Sequence, residues 1–335
     1  MKMIGKHAGR NALRSKRSPG ARLATTPAML AISVLLAPAT PVAAAPIESN
    51  DFSTAIGLSL ANTVLNGAHG EPMRNMLAPG RKSAWVTTDA DYDNNLRSRG
   101  GFGLADFGFA MGFEGGFTGR IAVGGIYSKQ SIQSFAGGGD ASYVGFYVAP
   151  EVTLPVAGPI FATLGGYFAP GSVSVDRGDP SFLRGKTDLD TWGAKVRFDW
   201  LDAFKVGASS FTPYASLSYT SARMDAYTET SFFTASFDAM REHATIARLG
   251  LDMVRTLSDT VRLTARGEFA YRFEDGPSPA FWYLDPIAQP PHAWVRGGVG
   301  AEFDVAGGTA SLSLNATSKG SDPDVWLRSS WKVGF

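Results

Sequence analysis

The sequence predicts an outer-membrane β-barrel of twelve antiparallel strands, with a short N-terminal helix in or near its lumen. The chain ends in a strand whose apolar and polar residues alternate, and most of the chain after Ser83 repeats that pattern. The gaps between successive strands are alternately long and short. Beyond residue 44 there is no apolar run of the roughly 18 residues that a spanning helix needs, so only a closed barrel would place the chain in a bilayer.

The last strand, 324–335, carries the alternation to the end of the chain. One face is largely apolar and the other polar and basic: Val325, Leu327, Ser329, Trp331, Val333 and Phe335 against Trp326, Arg328, Ser330, Lys332 and Gly334. In an outer-membrane barrel the apolar face meets lipid and the polar face meets the lumen. Trp331 and Phe335 fall where an aromatic girdle would lie. A final strand ending on Phe resembles the C-terminal assembly signal of bacterial outer-membrane proteins.

Residues 1–44 are predicted to be an export signal. Seven Lys and Arg and no acid precede a short apolar run at 28–36, which is too short to span a bilayer. Small residues predict cleavage between Ala44 and Ala45. Removing the signal changes the net charge from +1 to −6, because 24 Lys and Arg then face 30 Asp and Glu. A nucleic-acid partner therefore has no electrostatic basis.

The chemistry of metal and cofactor sites is not apparent in this sequence. The chain has no Cys, which excludes a disulfide framework and a thiolate metal site. Its His and carboxylate residues do not occur at ligand spacing, so no metal and no cofactor are predicted.

Residues 45–82 differ from the rest of the chain. Asp51 or Ser53 is suited to cap a helix over 55–65, and Gly67 and Gly70 would end it. Residues 66–82 are predicted to be a loop. The barrel itself is predicted over 83–335, with strands at 83–92, 101–114, 117–130, 141–152, 159–175, 187–201, 211–223, 242–256, 260–273, 293–305, 309–318 and 324–335.

The strand 261–273 shows the alternation best, with apolar residues on one face and Arg and Glu on the other. Ionic faces of this kind suit an interior that holds water or a plug, whereas a soluble barrel would be apolar inside. The charged residues expected to face the lumen are Lys195, Arg197, Asp199, Arg248, Asp252, Arg262, Arg266, Glu268, Arg272, Arg296, Glu302, Asp304 and Arg328. Strands 101–113 and 121–127 are rich in Gly, which predicts a bend or a place where a plug touches the wall.

Long external loops alternating with short periplasmic turns are typical of outer-membrane barrels. The observed gaps place both ends of the predicted barrel in the periplasm and require an even number of strands. A soluble β-sandwich, the main alternative, has no reason to alternate its loops in this way.

The chain resembles the C-terminal translocator domain of the autotransporter family (type V secretion). The matching features are the twelve strands, a first strand that opens on Trp85 after a helix, and a long ninth loop with P-S-P-A-F-W-Y. The strand W-V-R-G-G-V-G-A-E-F and the W-K-V-G-F terminus also match. The resemblance covers residues 50–335.

The resemblance implies a helix through the pore that links the barrel to a secreted passenger. It also implies an outer-membrane location, outer-membrane lipid as surroundings, export by the Sec machinery and insertion by the barrel-assembly machinery; the barrel is expected to be monomeric. Residues 45–65 are too few for a passenger domain, so the N-terminal segment is interpreted as vestigial; the alternatives are a passenger encoded elsewhere or a wrongly assigned start. Some family members cut their helix at an Asn, and Asn62 is either such a site or a polar residue bonded to the lumen wall.

Two other functions remain open. The Arg row would favour anions in a porin-like channel, and the aromatic residues of loops 224–241 and 274–292 would suit a surface-contact barrel. Some outer-membrane barrels are hydrolases with a rim His, and the candidates are His69, His243 and His292. The sequence shows no nucleophile motif beside them, so no enzyme is predicted.

Overall fold

The computed structural model describes residues 51–67, 76–94, 98–132, 139–178, 182–274, 291–318 and 322–335. The predicted export signal with Ala44 and Ala45, His69, and most of the 274–292 loop lie outside these ranges. The described part contains one helix, α1 (Asp51–Gly67), so the helix predicted over 55–65 is confirmed and is longer at both ends.

Fifteen strands follow the helix in the described ranges. They are β1 (Lys82–Asn94), β2 (Ser98–Gly112), β3 (Thr118–Ile132), β4 (Asp140–Ala157), β5 (Ile160–Asp176), β6 (Arg184–Trp200), β7 (Phe204–Val206), β8 (Ser209–Met224), β9 (Tyr227–Thr230), β10 (Thr234–Phe237), β11 (Met240–Ser258), β12 (Val261–Arg272), β13 (Ala293–Val305), β14 (Gly308–Thr317) and β15 (Val325–Gly334).

Twelve of these strands close into an antiparallel barrel, as predicted. Each of the twelve pairs with its neighbour along the chain, β6 pairs with β8, β8 with β11, and β1 pairs with β15 to complete the ring. The short strands β7, β9 and β10 were not predicted. β7 lies beside β8, and β9 and β10 form a hairpin that extends from β6.

The two ends of the barrel differ. We call the end where β1 begins and β15 finishes the terminal end, and the opposite one the loop end. Connections at the loop end include 177–183, 225–239 and 273–292, whereas two-residue turns at 158–159, 259–260 and 306–307 lie at the terminal end. One prediction about the connections is wrong, because the long first loop shrinks to 95–97.

The reason for that error is that backbone pairing does not depend on side-chain polarity. Asp93 pairs with Gly100 and Asn94 with Arg99, so the ladder between β1 and β2 continues through residues that a polar pattern marks as loop. Similarly, β4 was predicted over 141–152 but continues to Ala157.

The barrel is closed by backbone hydrogen bonds that involve Phe335, the last residue of the sequence. The Phe335 amide donates to the Lys82 carbonyl at 2.9 Å and the Lys82 amide donates to the Phe335 carbonyl at 3.0 Å. The Phe335 ring lies 6.4 Å from that of Phe109 on β2. The terminal Phe thus lies at the seam between the first and last strands.

The outward faces of the strands are apolar and exposed. Phe107, Phe146 and Val299 are each about 60% exposed on the isolated chain. Aromatic side chains flank this band: Trp192, Tyr219 and His243 stack in a row towards the loop end, and Phe204 stacks on Phe211 at the terminal end. An exposed apolar band between aromatic rims is the lipid-facing surface of an outer-membrane barrel.

Several lumen-side glycines make room for aromatic rings of the wall. A Cβ at Gly108 would lie 1.9 Å from the Trp85 indole, one at Gly124 would lie 2.6 Å from Tyr147, and one at Gly171 would lie 2.5 Å from the Tyr143 hydroxyl. Gly108 and Gly124, in the Gly-rich strands, therefore accommodate cross-strand aromatic residues, a packing device of curved sheets. The expectation that they mark the contact with a plug is wrong for Gly108 and Gly124.

Candidate functional site: a helix held in the barrel lumen

The helix α1 lies inside the barrel against one side of the wall. It contacts β4, β5, β6, β8 and β11. Ile56, Leu60 and Val64 are at most 3% exposed and belong to the same apolar cluster as Leu189 and Met224 of the wall. Burial of such a side chain contributes roughly 1.5–3 kcal/mol, so the helix is held by packing as well as by polar contacts.

Close approach requires small residues on both partners. A Cβ at Gly57 of the helix would lie 2.7 Å from the Thr191 side chain and 3.1 Å from Ala222. A Cβ at Gly193 of the wall would lie 2.7 Å from Leu65. Gly57 weakens the helix propensity of the sequence, but it is the residue that lets the helix reach β6 and β8.

The polar centre of the lumen is Arg248 on β11, whose side chain is fully buried. Its guanidinium donates to Glu268 at 2.5 Å and to Asp322 at 2.6 and 2.7 Å. It also donates to the Asn62 side-chain oxygen of α1 at 3.2 Å, and the Asn62 amide donates to Asp322. One buried cluster therefore joins the helix to two parts of the wall.

Further donors complete this cluster. Trp294 Nε1 donates to Asp322 at 2.8 Å, while Arg296 and Tyr214 donate to Glu268 at 2.8 and 2.5 Å. Buried charges persist only when they are paired and hydrogen-bonded in this way. We call Asn62, Arg248, Glu268, Trp294 and Asp322 the lumen latch.

Asp322 was missed by the sequence analysis. It comes from the connection between β14 and β15, in the run S-D-P-D, which has the composition of an ordinary surface turn. Its side chain is nevertheless 3% exposed. Burial opposes its ionisation, but the adjacent Arg248 guanidinium outweighs this and lowers the pKa of Asp322 from 3.8 to about 2.

Each end of α1 lies near a side chain whose charge is opposite to that of the helix dipole at that end. Thr54 in the first turn donates to Glu242 at 2.7 Å, so a carboxylate lies beside the helix N-terminus. Lys195 donates to the Leu65 carbonyl in the last turn and also pairs with Glu151 at 2.9 Å. The helix dipole favours an anion at its start and a cation at its end, so the wall stabilises this one orientation.

Most of the other charged residues predicted to face the lumen form ion pairs within the wall. Arg197 binds Asp199 at 2.6 Å and Asp252 at 3.0 Å, and Arg266 binds Asp252 at 2.6 Å. The remaining pairs are Arg262 with Glu302 (3.1 Å) and Asp304 (2.7 Å), and Arg328 with Asp89 (2.8 Å). Arg272 donates to the His243 carbonyl at 3.4 Å.

The pattern also missed polar contacts of the inner wall that involve residues from the Gly-rich strands. Arg120 donates to Glu151 at 3.2 Å and to Thr153 at 2.7 Å. Tyr147 donates to Asp106 at 2.7 Å. In these strands the alternation of polar and apolar residues is too weak to assign the two faces from sequence.

A cavity of about 460 Å³ adjoins the last turn of α1. Thr63 and Asn66 of the helix and Arg266, Arg328 and Lys332 of the wall are among the residues that line it. Asn66 donates to the Asn62 carbonyl and side-chain oxygen at 2.9 and 2.8 Å. The helix thus fills the loop-end part of the lumen, and polar side chains surround the space towards the terminal end.

The candidate rim histidines have partners outside the lumen. His243 stacks on Tyr219 with ring centroids 5.9 Å apart. His292 stacks on Tyr271 at 6.0 Å, and its Nδ1 lies 2.9 Å from the Arg272 carbonyl. Among the described residues there is no group of three or more His, Asp or Glu suited to a metal ion. No helix in the described part of the chain is long and apolar enough to cross a membrane.

The closed barrel and its apolar outer band define an outer-membrane barrel. Its lumen holds the helix that precedes the barrel in the chain, and this combination defines the class of protein. The chain matches the family model of the autotransporter beta-domain over residues 84–317 and belongs to that family. It is therefore an autotransporter-type barrel of the bacterial outer membrane, the part of such proteins that serves passenger translocation.

Solved structures agree on the fold. The translocator domain of the autotransporter NalP from Neisseria meningitidis superposes with a TM-score of 0.67 at 14% identity, over 86% of this chain and 99% of that one. The beta domain of the Bordetella autotransporter BrkA gives 0.51 at 12% identity, over 75% and 98%. The transport unit of AIDA-I from Escherichia coli gives 0.51 at 11% identity, over 83% and 98%. A search of curated proteins finds no significant match.

Proposed function

We propose that this barrel carries its own N-terminal segment across the outer membrane and is then closed by α1. In this proposal residues 1–44 are a cleaved export signal, residues 45–82 hold a vestigial passenger, linker and lumen helix, and residues 83–335 are the barrel. The observation that carries the proposal is the direction of α1. Its first turn contacts Glu242 near the loop end and its last turn contacts Lys195 deeper in the lumen, so the helix begins near the loop end and runs into the lumen.

The loop end is the external end in this proposal. The longer connections of the described barrel gather there, and long external loops with short periplasmic turns are typical of outer-membrane barrels. Export by the Sec machinery and insertion by the barrel-assembly machinery, with Trp331 and Phe335 as part of the assembly signal, complete the proposed route. We propose a monomer, because one chain closes the barrel by itself.

Surface labelling of intact cells tests the proposal. One epitope tag is inserted between residues 47 and 50, a second within 276–290, and a control tag at Gly307 in a terminal-end turn. We expect the first two tags to be labelled and the control to be protected. Labelling at 276–290 with protection of the tag before Asp51 would instead indicate a pore or surface-contact barrel without secretion.

We further propose that the barrel is not itself an enzyme. His243 and His292 are held by aromatic stacking on the outer face, and the Nδ1 atom of His292 lies 2.9 Å from the Arg272 carbonyl. Lipase and protease assays on the wild type and on His243→Ala and His292→Ala test this. Activity that disappears in either variant would refute it.

A further inference from the structure

The outer face of β6, β8 and β11 has two distinct rows near the loop end. The first is the aromatic row of Trp192, Tyr219 and His243, with ring centroids 5.3 and 5.9 Å apart. The second lies two to four residues further along β8 and β11, and it contains Arg223 and Arg241. Two residues of a strand span about 6.6 Å, so the arginines lie just beyond the aromatic belt, at the level of lipid headgroups.

Arg223 and Arg241 are direct cross-strand partners on the same outward face. Both are exposed, and the Arg223 side chain is 56% exposed. Partner side chains in an antiparallel pair begin about 5 Å apart, and like charges at such positions destabilise the sheet. The arrangement therefore carries a cost that an anion between the two guanidinium groups would remove.

Nearby carboxylates offset only part of the positive charge of this arginine pair. Asp225 lies 3.3 Å from Arg223, and Asp190 is the cross-strand partner of Arg223 on its other side. Both acids lie on the Arg223 side of the pair. Arg241 forms no ion pair with any of the described residues, unlike the exposed cations Lys129 and Arg184, which pair with Asp140 and Asp176.

We propose that Arg223 and Arg241 bind a phosphate group of an outer-leaflet lipid. Two guanidinium forks at headgroup level match the geometry of a phosphate, which accepts paired hydrogen bonds from Arg. The aromatic row beneath them would pack against the acyl chains and sugar of the same lipid. This inference rests on the outer-membrane location of the barrel and on the external position of its loop end proposed above, and not on the direction in which its N-terminal segment moves.

The test compares binding of a phosphorylated lipid to matched variants. The full chain, refolded in detergent, is titrated with lipid A and with dephosphorylated lipid A, and bound lipid is counted by native mass spectrometry. The test variant is R223Q/R241Q, and the control is K129Q/R184Q, which removes two exposed cations from the same end. Heat-modifiable mobility in gels confirms that each variant is folded.

We expect lipid A to bind the wild type and the control alike, and to bind R223Q/R241Q roughly tenfold or more weakly, since charge-assisted bonds to phosphate are lost. Dephosphorylated lipid A should bind all three proteins equally weakly. Equal weakening in the control variant, or undiminished binding of the dephosphorylated lipid, would overturn the proposal. Competition by inorganic phosphate that abolishes lipid binding at low concentration would show a free-anion site and would also overturn it.

Discussion

Arg248 is fully buried and depends on its carboxylate partners, so the lumen latch is the place where a single substitution should matter most. Removing one partner of a buried ion pair leaves a charge that is not fully compensated, which costs far more than the pair is worth at a surface. Asp322 is the informative partner, because it comes from a loop and contacts both the helix and the wall.

The first prediction concerns Asp322→Asn. The change removes the charge that faces Arg248 and leaves Glu268 as its remaining carboxylate, so we expect a loss of about 1–3 kcal/mol in the free energy of unfolding. Urea titration followed by heat-modifiable mobility measures it. Asp304→Asn is the control, since Asp304 is part of an exposed pair at the terminal end and its substitution should cost clearly less stability. Equal losses in the two variants would argue against the latch.

The same residue predicts a pH dependence. The folded pKa of Asp322, about 2, lies below the ordinary value of 3.8, so its ionisation favours the folded state. The stabilisation is complete above 3.8 and is lost as the pH falls through about 2. We expect the stability difference between wild type and Asp322→Asn to stay constant from neutral pH down to about 4 and then to shrink. A difference that fades already near neutral pH would contradict this assignment.

The helix α1 is buried along most of its length, and its fit depends on its smallest residue. Gly57 faces the wall at a distance that admits no Cβ without movement of Thr191, whereas Ala55 is exposed on the same helix. The helix therefore has one position where added volume should displace it and a nearby position where the same volume should be harmless.

We predict that Gly57→Leu moves α1 away from β6 and β8 and opens the pore. Single-channel recordings in planar bilayers should show a clearly larger conductance than for the wild type. Ala55→Leu, the matched control, should conduct like the wild type. If Gly57→Leu also conducts like the wild type while remaining folded, the contact between α1 and the wall does not close the pore.

The described part of the chain is a barrel with an ion-paired network inside and an apolar band outside. This inversion predicts that the protein needs an amphiphile in place of water at its outer band. After lysis without detergent, we expect the purified chain to aggregate, and in detergent to be monodisperse and monomeric. Light scattering in the two conditions measures this, and a monodisperse sample in plain buffer would refute the membrane assignment.

Much of this architecture follows from local patterns in the chain. The strand 261–273 alternates so regularly that both of its faces are readable, and the strand number and antiparallel closure follow from such segments together with the turns. Errors gather where the local pattern of polar and apolar residues does not decide the structure. The backbone ladder runs through Asp93 and Asn94, and the hairpin of β9 and β10 is held by a buried pair of Arg177 and Glu229 at 2.5 Å.

The sequence by itself determined the membrane barrel, its family resemblance and the presence of a helix, because alternation with period two and a short capped apolar segment are properties of neighbouring residues. Only the tertiary structure decided which ionic groups meet. Asn62 and Asp322 are 260 positions apart, and Arg248 and Asp322 are 74 apart. Such contacts depend on the register of every strand between them and on how a loop folds inward, and no local period in the chain records either.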